Sequence, residues 1–444
     1  MKSKISISTV LAALAMTVNT TVFADSLTPL GAELSGNADG SIPAWTGGFS
    51  RNIKQDQASS QFTDPFANDP IKFSINYENY KKYQDYLTPG QIEQLRRNPD
   101  GYQLNIYETR RTAKLPEYVY QSAQQNAKTA KLATDGNGVV DYQGYYPFIH
   151  PKNGLEVVWN HFMRYRGGSL YREHTQVITQ SSGIFSEVQL EDRAAWPENL
   201  AGYDPVDDSN IMIFSTQKVT GPARLAGNIL LVHETVNQIK QPRLAWLYNS
   251  GQRRVRRAPQ VAYDGPGTAA DGLRTSDNYD MYTGSPDRYD WKLEGKQEIY
   301  IPYNNYKLTS HELTSDKLIK KGHLEPSYLR YEKHRVWKVV GTLKPGMRHI
   351  YAKRVFYIDE DTWQIALAEH YDSRGVLWRL SEGFHVQYDY ADTPWYAGEA
   401  IYDFTNSRYL VVGLIYNSAE PIKFGFKANK AEFTPSALRS QGVR

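Results

Sequence analysis

The chain has 444 residues, with 51 Lys and Arg against 48 Asp and Glu, and its net charge of +3 lacks the basic excess of a nucleic-acid-binding surface. It contains no cysteine, which excludes disulfides, thiolate catalysis, cysteine-ligated zinc and iron–sulfur clusters. With 40% apolar and 22% charged residues, the composition is that of a globular protein rather than a disordered one.

The first 24 residues have the pattern of a secretory signal peptide. Lys2 and Lys4 form a basic start, an apolar stretch follows, and Ala24 ends a small-residue cleavage motif. The apolar stretch, over 10–18, is too short to span a membrane, which takes roughly 20 residues. We therefore expect cleavage after Ala24 and export to the periplasm, and association with the outer membrane stays open.

Residues 25–166 are predicted to form an irregular arm followed by helices that pack on a sheet. Glycine, proline, asparagine and aspartate interrupt any periodicity over 25–70. Asn153 is placed to cap the last of the predicted helices. Apolar spacings of three or four residues predict an interrupted helix over 75–97 and helices over 116–132 and 154–164.

Residues 167–444 are predicted to form a curved antiparallel β-sheet domain. Over 330–386, three turn sequences separate four alternating segments, which favours sequential antiparallel pairing. The chain also holds 33 tyrosines, which are typical of sheets. The further predicted strands are 169–180, 183–190, 210–219, 224–238, 243–249, 396–402 and 407–416.

Large side chains point to both faces of these predicted strands, as where Phe356 and Ile358 flank Tyr357. A sheet with one face in water would carry apolar bulk on one side only. We therefore expect either helices on the second face or a sheet that curls around a hydrophobic cavity. The predicted fold class is mainly β (α+β): a large curved antiparallel sheet or half-barrel around an apolar cavity, with an N-terminal arm and helices. A filled core without a cavity is the alternative.

Large aromatic residues of this region are the candidate lining of a ligand cavity, with an ordinary core as the alternative for each: Trp246, Trp291, Trp337, Phe356, Trp363 and Trp378.

The sharpest charge cluster is a run of four arginines. It suggests docking to an acidic partner or to anionic lipid head groups, and the alternative is a solvated strand with acidic neighbours. Its members are Arg253, Arg254, Arg256 and Arg257.

Neither catalysis nor metal binding is predicted. His233 and His311 lack the second histidine of a zinc-binding helix, and no Gly-x-Ser-x-Gly motif occurs. A calcium site is a less favoured reading of the acidic loop over 277–290 than turn formation. We predict no catalytic residue, no metal and no cofactor. The carboxylates interpreted as turn formers are Asp277, Asp280, Asp287 and Asp290, and, as solvated residues at a hairpin tip, Asp359, Glu360 and Asp361.

Four segments have distinctive sequences: LTPLGAE at 27–33, GNADGSIPAWTGG at 36–48, DRYDWKLEGK at 287–296 and RYEKHRVW at 330–337. They closely resemble an exported family known as domain of unknown function 1329. The resemblance implies a fold similar to outer-membrane lipoprotein carriers, a curved sheet around an apolar cavity. It also implies partners: a transporter of the resistance–nodulation–division type and an outer-membrane barrel protein. It implies no catalytic residues.

The first hypothesis is a non-enzymatic periplasmic carrier or adaptor that binds a lipid or another hydrophobic molecule. The first alternative is a scaffold that links an inner-membrane pump to an outer-membrane barrel. The second alternative is a periplasmic hydrolase, for which the sequence offers no nucleophile–base pair.

Overall fold

The computed structural model describes residues 26–58, 62–258, 261 and 263–442. The predicted signal peptide and its cleavage site lie outside these residues. The strands, in chain order, are β1 (Phe73–Ile75), β2 (Leu104–Ile106), β3 (Lys131–Leu132), β4 (Val139–Val140), β5 (Ser169–Thr179), β6 (Phe185–Ala195), β7 (Leu200–Ala201), β8 (Ile211–Gly221), β9 (Ile229–Thr235), β10 (Leu244–Asn249), β11 (Arg254–Arg257), β12 (Tyr289–Pro302), β13 (Tyr331–Leu343), β14 (Lys353–Asp359), β15 (Ile365–Tyr371), β16 (Leu377–Tyr388), β17 (Thr393–Asp403), β18 (Arg408–Leu414), β19 (Lys423–Phe424) and β20 (Ala428–Asn429).

The α-helices are short, and single 3-10 turns link many of the strands. The α-helices are α1 (Pro89–Arg97), α2 (Glu117–Thr129), α3 (Gly154–Phe162), α4 (Ser315–Leu318) and α5 (Pro435–Gly442). The 3-10 helices are Gln55–Gln57, Tyr80–Tyr86, Pro197–Asn199, Ser276–Asn278, Pro286–Arg288, Tyr306–Thr309, Pro326–Tyr328, Asp389–Ala391 and Lys430–Phe433. No helix within the described ranges is long and apolar enough to cross a membrane.

Sixteen strands form one large curved sheet that does not close into a barrel. Its order is β1-β2-β13-β14-β15-β16-β17-β18-β5-β6-β8-β9-β10-β11, with β12 on β13 and β19 on β5. All of these neighbours are antiparallel except β2 and β13, which pair in parallel. The predicted fold class, a mainly β protein built on a large curved antiparallel sheet, is therefore confirmed.

The N-terminal helices form where the sequence places their caps. The Asn153 side chain accepts a hydrogen bond from the Glu156 N–H at 3.0 Å, which fixes the start of α3. Thr88 caps α1 through the Gln91 N–H in the same way, and the predicted helix over 75–97 divides there. The segment before Thr88 is the 3-10 helix Tyr80–Tyr86 rather than an α-helix.

Helices α1 and α3 cover opposite faces of the central strands. At the start of α1, the Gly90 N–H donates to Glu369 on β15 at 2.7 Å. A Cβ at Gly90 would lie 2.7 Å from a methyl group of Leu380, so a larger residue at this position would require the Leu380 side chain to shift. On the other face, Phe356 contacts Tyr282, which in turn packs on Phe162 of α3. Because both faces are covered, every residue of β15 and β17 is buried.

Candidate functional site

A cavity of about 470 Å³ lies against one face of β6, β8, β9 and β10. This volume is within the range of about 300–1,000 Å³ that is typical of small-molecule sites. Strand register explains its floor: Asp192 lies opposite Gln217, Gln217 opposite Leu230, and Leu230 opposite Leu247, so one row of side chains crosses four strands. The next row is Ala194, Ser215 and Val232.

Alternate side chains of each strand point to opposite faces of the sheet, so one set faces the cavity and the other set packs in a second, smaller core. On β9, Leu230 and Val232 face the cavity, whereas Ile229 and Leu231 belong to a buried cluster on the other face. That cluster includes Leu438 of α5, so the C-terminal helix covers the side of the sheet away from the cavity.

The cavity walls are mainly apolar and aromatic. Trp159 and Phe162 contribute from α3, and Trp395 contributes from β17. Trp196, which follows β6, completes the aromatic lining. The remaining apolar lining residues are Leu170, Ala194, Met212, Ile213, Val219, Leu225, Leu230, Val232, Leu247, Ala258, Val261, Pro266 and Ala269.

A loop over 263–284 contributes the wall that faces the strands, and Asp280 holds it in place. The Asp280 carboxylate accepts hydrogen bonds from Arg164 and Arg166, each at 2.5 Å, and from the Trp395 indole at 3.0 Å. Burial alone would raise the pKa of Asp280, but the two arginines hold the pKa of this carboxyl well below its usual range. Asp280 also has a φ of +53°, a left-handed backbone conformation that costs free energy outside glycine.

Two further ion pairs have their carboxylate in the cavity wall. Arg243 donates to Glu234 at 2.7 Å, and it also donates to the carbonyl of Thr283 in the loop. Behind the wall, Arg172 pairs with Asp192 at 2.9 Å. The interpretation of Asp280 as a turn former is therefore incomplete, because the carboxylate is a buried ion-pair partner.

A separate polar cluster lies in the hairpin between β14 and β15. Potential ligand atoms of His334, Asp359 and Asp361 lie within 4.8 Å of one another, so these residues could hold a metal ion. However, Arg111 already forms a bidentate pair with Asp361 at 2.7 and 2.9 Å and supplies positive charge there. Burial and the Asp361 charge raise the pKa of Asp359 to about 7.

The expectation that Asp359, Glu360 and Asp361 are solvated is wrong. All three are buried. The N-terminal arm crosses over this hairpin: Arg111 reaches Asp361, and the Glu33 N–H donates to Glu360. The segment that looks like an exposed hairpin tip in the sequence is thus covered by a segment that lies about 250 positions away along the chain. Asp277, another predicted turn former, is also buried, and it pairs with Arg354 at 2.6 Å.

The six aromatic residues predicted to line a ligand site lie outside the cavity described above. Two pairs of them are brought together: Trp291 stacks on Phe356 with 5.6 Å between ring centroids, and Trp337 stacks on Trp363 at 6.0 Å. Trp378 donates to Asp403 at 3.0 Å. Trp246 packs on the opposite face of the sheet, beside His233. Their role in ligand binding stays a prediction.

The four arginines predicted for docking lie at the end of the sheet. Arg253 occupies the turn before β11, with a φ of +50°, and the other three lie on β11 itself. All four are exposed. Arg257 lies over the Trp246 ring at 5.7 Å. The structure therefore places them at the surface and close together, and their docking role stays a prediction.

Sequence patterns pointed to only part of the cavity lining. Of the residues discussed above on sequence grounds, Asp280 lies in the cavity wall, whereas Trp196, Trp395, Arg166 and Arg274 were not singled out. No local signal identifies them, because the cavity forms only when the loop over 263–284 packs against α3 and β17.

A second cavity, of about 540 Å³, lies between α1 and the turn after β17. Its lining is largely polar and charged, with Arg97, Asp100, His323, Asp403 and Arg408. The cavity of about 470 Å³ beside β6, β8, β9 and β10 is therefore the better candidate for a site that binds a hydrophobic molecule.

Comparison with known proteins gives a family and distant structural likenesses. The family model described as "Protein of unknown function (DUF1329)" matches residues 74–439. An uncharacterised protein of Pseudomonas aeruginosa is 54% identical over 419 residues, which cover 94% of this chain and 92% of that protein.

Two solved structures show a weaker likeness. An outer-membrane lipoprotein-sorting domain assigned in Vibrio parahaemolyticus has 12% identity and a TM-score of 0.45, covering 64% of this chain and 98% of its own. A DUF1329 family protein from Desulfovibrio piger has 14% identity and a TM-score of 0.42, covering 61% and 92%.

Proposed function

The chain belongs to the DUF1329 family, whose description names no activity, and we therefore propose a function from the cavity itself. The protein is a non-enzymatic carrier that shelters a hydrophobic molecule in this cavity. The family match confirms the resemblance predicted from the four sequence motifs. The observation that carries the proposal is the apolar cavity between the sheet and the loop over 263–284.

The energetics suit reversible carriage. Each buried methylene contributes about 0.8 kcal/mol, so about ten methylenes contribute roughly 8 kcal/mol before ordering costs. That figure corresponds to a dissociation constant of about 1 μM at best. A carrier of this affinity can both take up and release its cargo.

The chemistry of the wall favours binding over catalysis. Among the described residues that line the cavity there is no histidine, so the wall offers no imidazole as a general base for a serine or threonine hydroxyl. Its carboxylates Asp192, Glu234 and Asp280 are each engaged by an arginine.

The proposal includes export to the periplasm and exchange of cargo with an envelope transporter and an outer-membrane barrel protein. Support comes from the leader sequence and from the resemblance described above. A purely structural link between two membranes is the alternative, favoured by the exposed arginines of β11, which offer a docking surface for an acidic partner. Crosslinking in intact cells, followed by lipid extraction of the isolated complex, separates the two roles.

A filled-cavity variant tests the carrier function. Val232→Trp places a large ring in the cavity, whereas Val206→Trp, at a position that is 78% exposed, makes the same change at the surface. The measurement is fluorescence titration of the mature protein with the neutral dye N-phenylnaphthylamine. We expect wild type and Val206→Trp to bind the dye and Val232→Trp to bind at least about tenfold more weakly, equivalent to about 1.4 kcal/mol. Equal binding by all three, or no binding by wild type, contradicts the proposal.

A further inference from the structure

Buried positive charge exceeds buried negative charge around the cavity. Three carboxylates of the wall are matched to four arginines: Asp280 holds Arg164 and Arg166, and the other two carboxylates hold Arg172 and Arg243. A fifth arginine, Arg274, lines the same cavity. All five arginines are buried.

Arg274 lacks a partner for its charge. Arg274 is only 3% exposed, yet within the described ranges its guanidinium lies in no ion pair, and its buried Nε has no hydrogen-bond partner. Its contact is with an aromatic ring, that of Tyr279, at 5.2 Å. An arginine stays charged in proteins, so this charge is buried without a carboxylate in direct contact with it.

The carboxylate that acts most strongly on Arg274 is only a partial counter-charge. Glu399 is buried on β17, and its carboxylate accepts a hydrogen bond from the Met281 N–H at 2.9 Å. Burial and the Asp280 charge raise the pKa of Glu399 to about 7, so this group is partly protonated at neutral pH.

Two other buried donors of the cavity wall are also free within the described residues. They are the Nε of Arg166 and the indole N–H of Trp196. Buried polar groups almost always have hydrogen-bond partners, and a buried charge without one is costly. Three unsatisfied donors in one apolar cavity therefore call for an acceptor that the chain does not supply.

We infer that the cavity takes an amphiphile with an anionic head group, a carboxylate or a phosphate, paired with Arg274, while its alkyl tail lies against Leu230, Val232 and Leu247. This inference rests on the proposed carrier function and adds the class of cargo. An arginine is well suited to it, since its fork of N–H groups matches the oxygens of either head group.

A head-group series with one alkyl chain tests the inference. Dodecanoate, dodecyl phosphate, dodecanol and dodecylamine are titrated, below their aggregation concentrations, against the mature protein loaded with N-phenylnaphthylamine. Wild type should bind at least one of the two anions about tenfold or more tightly than dodecanol, and should bind dodecylamine most weakly. The ratio between the two anions shows whether a fatty acid or a phosphate-bearing lipid is the better source.

Variants assign the preference to Arg274. Arg274→Gln should lose about tenfold in affinity for the preferred anion and keep its affinity for dodecanol, and Arg274→Lys should keep part of the preference. Arg96→Gln makes the first change at an exposed arginine of α1 and should leave the whole series unchanged. If Arg274→Gln does not fold, the wild-type series alone decides.

The outcomes separate the two proposals. Two results would overturn the anionic cargo and leave the carrier function standing. Wild type could bind the anions and dodecanol with equal affinity, or Arg274→Gln could lose affinity for the anions and for dodecanol to the same extent. If none of the four compounds displaces the dye and the dye itself does not bind, the carrier function fails as well.

Discussion

One sheet contains two halves that are covered in different ways. In the filled half, β13 to β18, the strands β15 and β17 are buried at every position. In the cavity half, β6 and β8 to β11, β6 keeps the alternation of buried and partly exposed residues that a sheet with one covered face shows. The difference lies in what packs against each half, since the strands continue from one to the other.

The covering elements explain this difference. Helices α1 and α3 place side chains directly on both faces of the filled half. In the cavity half, α5 covers one face, and the other is faced by a loop that is held away from the strands by Asp280 and its arginines. A packed helix excludes space, whereas a loop held only at anchor points leaves room for a guest molecule. The filled half can thus serve as a frame for the half that contains the cavity.

The largest expected effect contrasts truncations in the two halves. Phe356→Ala removes a fully buried ring from the filled half and should lower the free energy of unfolding by about 4 kcal/mol. Leu230→Ala, in the cavity wall, should cost less than about 2 kcal/mol, because its side chain already faces open space. Urea denaturation of both variants checks this. Similar losses would show that the halves are packed alike.

The next effect concerns the boundary between the halves. Asp280→Asn leaves Arg164 and Arg166 buried without a carboxylate and should destabilise the protein by about 3 kcal/mol. Thermal and urea unfolding measure this, with Asp207→Asn at an exposed position as the matched control. Dye binding should weaken together with stability, because the loop loses its anchor. Unchanged dye binding would mean that other contacts hold the loop.

A smaller effect tests the filled half through pH. Burial raises the pKa of Glu382 to about 7, and the Tyr331 hydroxyl donates to this carboxyl at 3.1 Å. The folded state therefore binds a proton that the unfolded state releases near pH 4.5, so the free energy of unfolding falls as pH rises from about 4.5 to 7 and then levels off.

Replacing the Glu382 carboxyl should remove this decrease in the free energy of unfolding with rising pH. At pH 8, Glu382→Gln is expected to be about 2 kcal/mol more stable than wild type, and at pH 4 the two should be similar. Urea denaturation across this pH range measures it, with the exposed Glu312→Gln as control. A difference independent of pH would point to altered packing instead of ionisation.

The smallest effect on stability is expected at the edge of the cavity half. Changing Arg253, Arg254, Arg256 and Arg257 together to Gln should alter the free energy of unfolding by no more than about 0.5 kcal/mol per site, since all four are exposed. Binding to vesicles that contain phosphatidylglycerol should fall clearly, as measured by co-sedimentation. Retained binding would argue against head-group docking by this cluster.

Strands and helices with local signals were predictable from the sequence. The four strands β13 to β16 follow the predicted meander, and α3 begins at its predicted cap, Asn153. The strand β12, with 14 residues, was not predicted as a strand. A register shift between Leu293 and Gly295 reverses the side-chain alternation in the middle of β12, so no single period of two runs through it.

The candidate site was less predictable for a physical reason. Ion pairs such as Arg166 with Asp280 join residues 114 positions apart, and the same acidic loop sequence is compatible with exposed turns. The expectation of solvated carboxylates in the hairpin at Asp359 failed on the same ground, because the covering segment comes from the distant arm. Alternation predicts which face a strand residue occupies, whereas the partner of a loop residue depends on the whole fold.

The position of β11 at the end of the sheet has one more consequence. Within the described residues β11 pairs only with β10, so its outer edge offers free backbone groups to which another copy of the chain could add a strand. If the β11 edges of two copies paired, the four arginines of one copy (Arg253, Arg254, Arg256 and Arg257) would lie close to the same four of the other. Electrostatic repulsion of this kind disfavours edge-to-edge pairing at β11, so the sheet can keep this edge open without closing into a barrel.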